Sequence, residues 1–135
     1  MSPPHRPTVF LDTHLVLWAA LGSSRLPEAV ARALADPAFR PCYSVASIWE
    51  VVIKSALGRR DFEIDAAALR RGLRAGGWEE FEIAAPHVLG VAALPPLHAD
   101  PFDRLLLAQA RAEGLPLWSA DAAVLAYGGP AASPE

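Results

Sequence analysis

Residues 8–18 read Thr8-Val9-Phe10-Leu11-Asp12-Thr13-His14-Leu15-Val16-Leu17-Trp18, and the fold turns on this stretch. The short run 8–11 suits a strand covered on both faces, because it has no alternating polar side to offer solvent. Asp12 then stands at the strand's carboxyl end, and residues 13–18 continue as an apolar helical stretch. A strand that passes directly into a helix predicts a parallel α/β sheet if the pattern repeats.

The pattern does repeat. A loop at 22–26 and Pro27 at a first helical position predict a helix over 28–35, ended by Asp36-Pro37. A strand at 40–43 leads into a helix over 45–57, with Gly58 as its cap. Residues 61–65 connect to an amphipathic helix at 66–75, and Gly76-Gly77 breaks it before a strand at 78–83. A short helix at 86–94 stops at Pro95-Pro96. Asp100-Pro101 opens a helix that runs to Glu113, capped by Gly114, and a strand at 115–119 precedes a last helical turn beginning at Asp121. Residues 128–135, containing Gly, Pro and Ser, are expected to fray as a tail, leaving 1–127 as one domain.

Four acids stand out. Asp12 and Asp121 each follow an apolar strand, where ligands gather in parallel sheets. Asp103 lies in the first turn of its helix and can point the same way. Glu50 sits among Ala46, Ile53 and Leu57 at helical spacing, an apolar row in which a bare glutamate is out of place. Each has a plainer explanation. Asp12 and Asp121 can cap helices, Asp103 can serve a helix dipole behind the cap Asp100, and Glu50 can pair with Lys54 at i+4. If the four converge, two carboxylates about 5 Å apart repel by roughly 3 kcal/mol at an effective dielectric near 20, so the cluster requires divalent cations.

Composition narrows the partners only weakly. The 135 residues are 53% hydrophobic, enough for one well-buried core, and carry 12 Lys plus Arg against 15 Asp plus Glu. Setting the four candidate ligands aside leaves 12 basic against 11 acidic residues, a balanced surface on which an arginine-lined rim is compatible. Arg59-Arg60 and the group Arg70, Arg71 and Arg74 read as solvated faces that could also guide a phosphate backbone. The four tryptophans, at 18, 49, 78 and 118, read as packing residues. His14 and His98 lack a partner at zinc-ligand spacing and are expected to make hydrogen bonds near the pocket rim. Cys42 is the single cysteine, so an internal disulfide is excluded and a reducing cytoplasm is expected. Residues 1–7 hold three prolines and no apolar run of signal-peptide type, and the apolar stretch 15–21 is far shorter than the roughly 20 residues of a membrane span.

Three segments taken in order carry a resemblance. They are Phe10-Leu11-Asp12-Thr13-His14-Leu15-Val16-Leu17-Trp18; Ser44-Val45-Ala46-Ser47-Ile48-Trp49-Glu50 with Lys54 and Leu57-Gly58-Arg59; and residues 94–104, LPPLHADPFDR, continued by LLLAQARAEG and Ser119-Ala120-Asp121. Over residues 9–127 the chain resembles the PIN-domain ribonucleases, and in particular the VapC-type toxins of bacterial toxin–antitoxin pairs. The resemblance implies a PIN-like three-layer sandwich with a parallel central sheet between helices. It maps the family's acidic quartet onto Asp12, Glu50, Asp103 and Asp121, with Ser119 where many relatives carry threonine.

By the same resemblance the activity would be endoribonuclease hydrolysis of RNA with a 5′-phosphate product. Mg²⁺ is the expected cofactor and Mn²⁺ its substitute, both suited to oxygen donors. Asp12 and Asp103 would hold the principal ion, with Asp121 and Glu50 completing the site through waters or a second ion. The implied partners are a second copy of the chain and a small antitoxin whose tail occludes the acidic pocket, with exposed apolar grooves marking the contacts. Three other readings compete. A phosphatase with an aspartate nucleophile would want a second Asp where His14 stands. A receiver-type signalling module would need an Asp ending the strand before Ser44. A PIN fold kept only for binding is at odds with a complete quartet.

Overall fold

In the computed structural model, which describes residues 8–134, the opening stretch folds as its pattern predicts. Thr8–Leu11 forms β1 and Thr13–Leu21 forms α1, with Asp12 between them as the helix cap. Then come α2 (Glu28–Ala35), β2 (Arg40–Ser44), α3 (Val45–Ala56), α4 (Ala66–Ala75), β3 (Glu79–Phe81), α5 (Ala85–Gly90), α6 (Pro101–Glu113), β4 (Leu117–Trp118), α7 (Ala122–Leu125) and β5 (Ala131–Ala132). Single 3₁₀ turns at Arg60–Phe62 and Val91–Ala93 fill two of the connections. Among these residues no helix is long and apolar enough to cross a membrane.

The five strands are all parallel, in the order β3-β2-β1-β4-β5. Alternation along the strands sends side chains to two separate cores. Val9, Leu11 and Tyr43 pack with Leu15, Val16, Val30, Leu69 and Leu73 on one face. Phe10, Cys42 and Leu117 pack with Leu106, Leu107, Ala110 and Val124 on the other. Both faces are therefore covered by helices, which makes a three-layer α/β sandwich. α3 contributes Val51 to the first core and Ala46 to the second, so it spans the sheet's edge between the layers. The buried contact of Thr13 Oγ1 with Ser47 Oγ, 2.9 Å, ties α1 to it.

Chain order reverses at β1: β2 and β3 build outward on one side, β4 and β5 on the other. The carboxyl ends of β1 and β4, the neighbouring strands at that reversal, are where this kind of sheet opens a crevice. Asp12 follows the first, and Ser119 and Asp121 follow the second.

Differences from the sequence reading lie in the short elements. The strand expected at 78–83 keeps only the three residues that find partners on β2, Glu79–Phe81, while Trp78 turns inward to the first core. The helix expected at 86–94 is α5 followed by a 3₁₀ turn. The tail expected to fray from 128 instead supplies β5. Leu117 N–H donates to Pro130 O at 2.9 Å, Ser119 N–H donates to Ala132 O at 3.1 Å, and Pro134 is buried. Two alanines have little strand preference of their own, so this strand exists because β4 has an open edge to pair.

Candidate active site

Asp12 is held by both oxygens. Oδ1 accepts the Leu15 N–H at 3.0 Å, the helix-cap bond, and Oδ2 accepts the Ser119 hydroxyl at 2.5 Å. Capping and pocket roles therefore coexist in one carboxylate. It is only 4% exposed, and burial pushes its pKa up. The bonds from Ser119 and Leu15 and the nearby His14 oppose that shift, while the charge of Asp121 adds to it. Ser119 is buried as well, and its oxygen accepts the Asp121 N–H at 3.0 Å, so one hydroxyl links the acids that follow β1 and β4. Asp121 caps α7 through Oδ1, which accepts the Ala123 N–H at 2.8 Å, and the residue is otherwise exposed.

Asp103 comes in from α6. The helix is placed by Asp100, whose Oδ1 accepts the N–H groups of Phe102 and Asp103 at 2.8 and 3.1 Å, as the Asp-Pro signal predicts. Asp103 Oδ2 accepts from His98 Nε2 at 2.8 Å. Burial pushes the Asp103 carboxyl up to about 6. His98 opposes this, and the charges of Asp100, Glu50 and Asp12 reinforce it. Glu50 and Asp12 are thus near enough to Asp103 for their charges to act on it. His98, Asp103 and Asp121 each offer a ligand atom, all within 4.8 Å of one another.

Glu50 is 2% exposed on α3. Its Oε2 accepts the Lys54 ammonium at 2.5 Å, and Oε1 is buried with no partner among the described residues. The i+4 pair with Lys54 is thus real, but it is buried and not a surface ornament. The reason for expecting burial needs correction, because Ile53 is 39% and Leu57 73% exposed. Of that row only Ala46 is buried, so the apolar row on its own helix does not account for the burial of Glu50.

An unpartnered buried carboxylate oxygen, two acids, Asp12 and Asp103, with raised affinity for protons, and a compact His-Asp-Asp group fit a hard divalent cation, which takes oxygen donors and tolerates an imidazole. Beside them a cleft of about 240 Å³ is lined by Asp12, His14, Trp18, Arg25, Ala120 and Asp121. A larger cavity, about 590 Å³, lies at the far end of the strands by Arg40 and Trp78. It has none of these acids, whereas two of them, Asp12 and Asp121, line the smaller cleft.

His98 and Lys54 are the residues whose part sequence reasoning underrated. His98 does make a rim hydrogen bond, as expected, but to a member of the quartet. The signal available was its place five residues before Asp103, in a segment with no regular period to say where it points.

A family model described as PIN domain matches residues 9–129. Among solved structures, a toxin–antitoxin complex from Klebsiella pneumoniae is similar with a TM-score of 0.63 at 17% identity, over 94% of this chain and 98% of that one. VapBC2 from Rickettsia felis, bound to a DNA fragment from its promoter, is similar with a TM-score of 0.61 at 13% identity, over 90% and 93%. At such identities the likeness is one of fold. No curated protein sequence matches the chain.

Proposed function

Because the chain belongs to the PIN-domain family, we propose that it is a metal-dependent endoribonuclease and the toxin of a VapBC-type pair. The observation that carries this reading is the meeting of His98, Asp103 and Asp121 within 4.8 Å, beside Asp12 at the β1/β4 reversal. A bound Mg²⁺ or Mn²⁺ would neutralise charge on the scissile phosphate and acidify a water.

The chain's own residues supply the rest. Ser119 fixes the Asp12 carboxylate and His98 fixes that of Asp103, so the two principal ligands are oriented before substrate arrives. Asp121, exposed at the mouth, completes the ligand set. Glu50, anchored by Lys54, keeps Oε1 free to accept a hydrogen from the attacking water and hold it in line with the phosphorus. Arg25 and His14, which line the cleft with Trp18, suit the phosphate and base of a single strand. Cleavage would leave a 5′-phosphate.

Partner binding is supported by apolar surface. Trp49, Val52, Ile53 and Leu57 expose one side of α3, while Val88 and Leu89 on α5 are 53% and 73% exposed. Patches of this kind mark protein contacts. An antitoxin segment that closes the acidic pocket, and a second copy of the chain as homodimer partner, are the occupants proposed. The similar solved complexes are toxin–antitoxin assemblies, which supports the first.

The test is cleavage of an end-labelled RNA by metal-stripped protein during Mg²⁺ or Mn²⁺ titration. Cutting should appear only with metal, and Asp12→Asn should reduce it on the order of 10³-fold while leaving the fold intact. Full cleavage by Asp12→Asn, or cleavage indifferent to a chelator, would overturn the assignment.

A further inference from the structure

Five carboxylates, those of Asp12, Glu50, Asp100, Asp103 and Asp121, gather at this end of the sheet, and the Lys54 ammonium reaches two of them. It stands 2.5 Å from Glu50 Oε2 and 3.3 Å from Asp100 Oδ2. It also lies 4.9 Å from the Phe62 ring centre and 5.7 Å from that of Phe102. Asp100 divides its oxygens, one capping α6 and the other facing Lys54. Glu50 divides its own in the same way, Oε2 to the ammonium and Oε1 unpartnered. The lysine is on the same helix as Glu50, one turn on, and its side chain is only 14% exposed, so it is held in place before any ion binds.

We propose that Lys54 is the pocket's built-in second cation: it occupies the space between Glu50 and Asp100, so that the site takes one divalent ion, at Asp12, Asp103 and Asp121, and not two. This deepens the metal-dependent reading above and rests on it. A two-ion site needs a second cation about 3.5–4 Å from the first, bound by oxygens at about 2.0–2.1 Å. One oxygen of each, Glu50 Oε2 and Asp100 Oδ2, is already turned to an ammonium that occupies the space between them, and two aromatic faces back that ammonium on its apolar side. Lys54 is thus a positioning residue. It fixes the direction of one Glu50 oxygen, and it does so without leaving the protein when metal is removed.

The experiment counts Mn²⁺ bound to the metal-stripped full chain by equilibrium dialysis, with electron paramagnetic resonance reporting spin coupling between neighbouring ions. Wild type should bind one Mn²⁺ and show no coupling. Lys54→Met should bind two, with coupling, and Lys54→Arg should return the count to one. Lys54→Gln, which retains a donor for Glu50, covers the case in which the methionine variant does not fold, and it too should admit a second ion. Two coupled ions in wild type, or a count of one in a folded Lys54→Met or Lys54→Gln protein, would overturn the proposal while leaving the nuclease reading intact. No Mn²⁺ bound to wild type would overturn both.

Discussion

Two partly buried carboxylates with opposite shifts, Asp103 and Glu80, set a region short of positive charge apart from a region that supplies its own. Glu80 on β3 accepts Arg70 Nε at 2.6 Å and Nη2 at 2.9 Å, the two-pronged geometry, and also the Tyr43 hydroxyl at 2.7 Å. Arg74 stands 3.7 Å away. The Arg70 bonds hold its carboxyl down at about 2 despite burial. Asp103 has a single imidazole against the charges of Asp100, Glu50 and Asp12, and burial leaves it at about 6. A carboxylate matched by the chain's own cations is structural. A group of carboxylates left short of positive charge is a candidate cation site. The same contrast explains the basic residues at 70 and 74, which are spent on Glu80 and are not free to track a phosphate backbone.

The sharpest attempt to break this contrast uses pH on the metal-free protein. Asp103 has a folded-state pKa of about 6 against an ordinary value of 3.8 for the group exposed in the unfolded chain. Between these values the folded chain holds more protons than the unfolded one. Its contribution to stability therefore falls as pH rises through that window. At pH 7 the penalty is at most about 3 kcal/mol. Asp103→Asn should remove it, so in urea unfolding the variant should gain on wild type from pH 4 to pH 7 without metal. Saturating Mn²⁺ at pH 7 should restore the wild-type advantage. Parallel pH curves for the two proteins would mean that Asp103 is not short of charge.

A smaller effect sharpens the picture within the pocket. Ser119→Ala deletes the hydroxyl that donates to Asp12 and accepts from the Asp121 backbone. Loss of such an orienting partner typically weakens metal binding about 10–100-fold. Calorimetric Mn²⁺ titration should show this, with Ser119→Thr close to wild type. Undiminished affinity in the alanine variant would mean that Asp12 is oriented by its cap bond alone.

Legibility in the sequence followed the same physics. α4 and α6 lie where their punctuation puts them, because Asp-Pro, the glycine breaks and the helical period are local signals. β4 and β5 are two residues each, and pairing partners far along the chain decide them, so the tail could not be read as a strand. Asp12, Asp103 and Asp121 were legible as candidates from their places at element ends. Glu50 was legible too, from its place on an apolar helix face, but the reach of Lys54 to Asp100 was not, since that contact spans 46 residues. The helical period around Glu50 pointed to burial through Ile53 and Leu57, which are in fact on the exposed side.

The smallest predicted effect tests the other half of the contrast. Glu80→Gln keeps the shape of the side chain and an acceptor for Tyr43, but removes the charge that Arg70 grips. Since Glu80 has a folded-state pKa near 2 against an ordinary 4.5, its contribution is fully present above pH 4.5 and is lost as pH falls toward 2. Arg70 is half-exposed, so water screens the pair and the loss at pH 7 should be small, well below what the shift alone would give. Urea unfolding should show that difference at pH 7 and a shrinking one toward pH 3, while Mn²⁺ affinity and RNA cleavage stay at wild-type levels. A loss of cleavage in a stably folded Glu80→Gln protein would instead assign the Arg70 face to substrate handling, and the division between a self-sufficient region and a cation-seeking one would no longer hold.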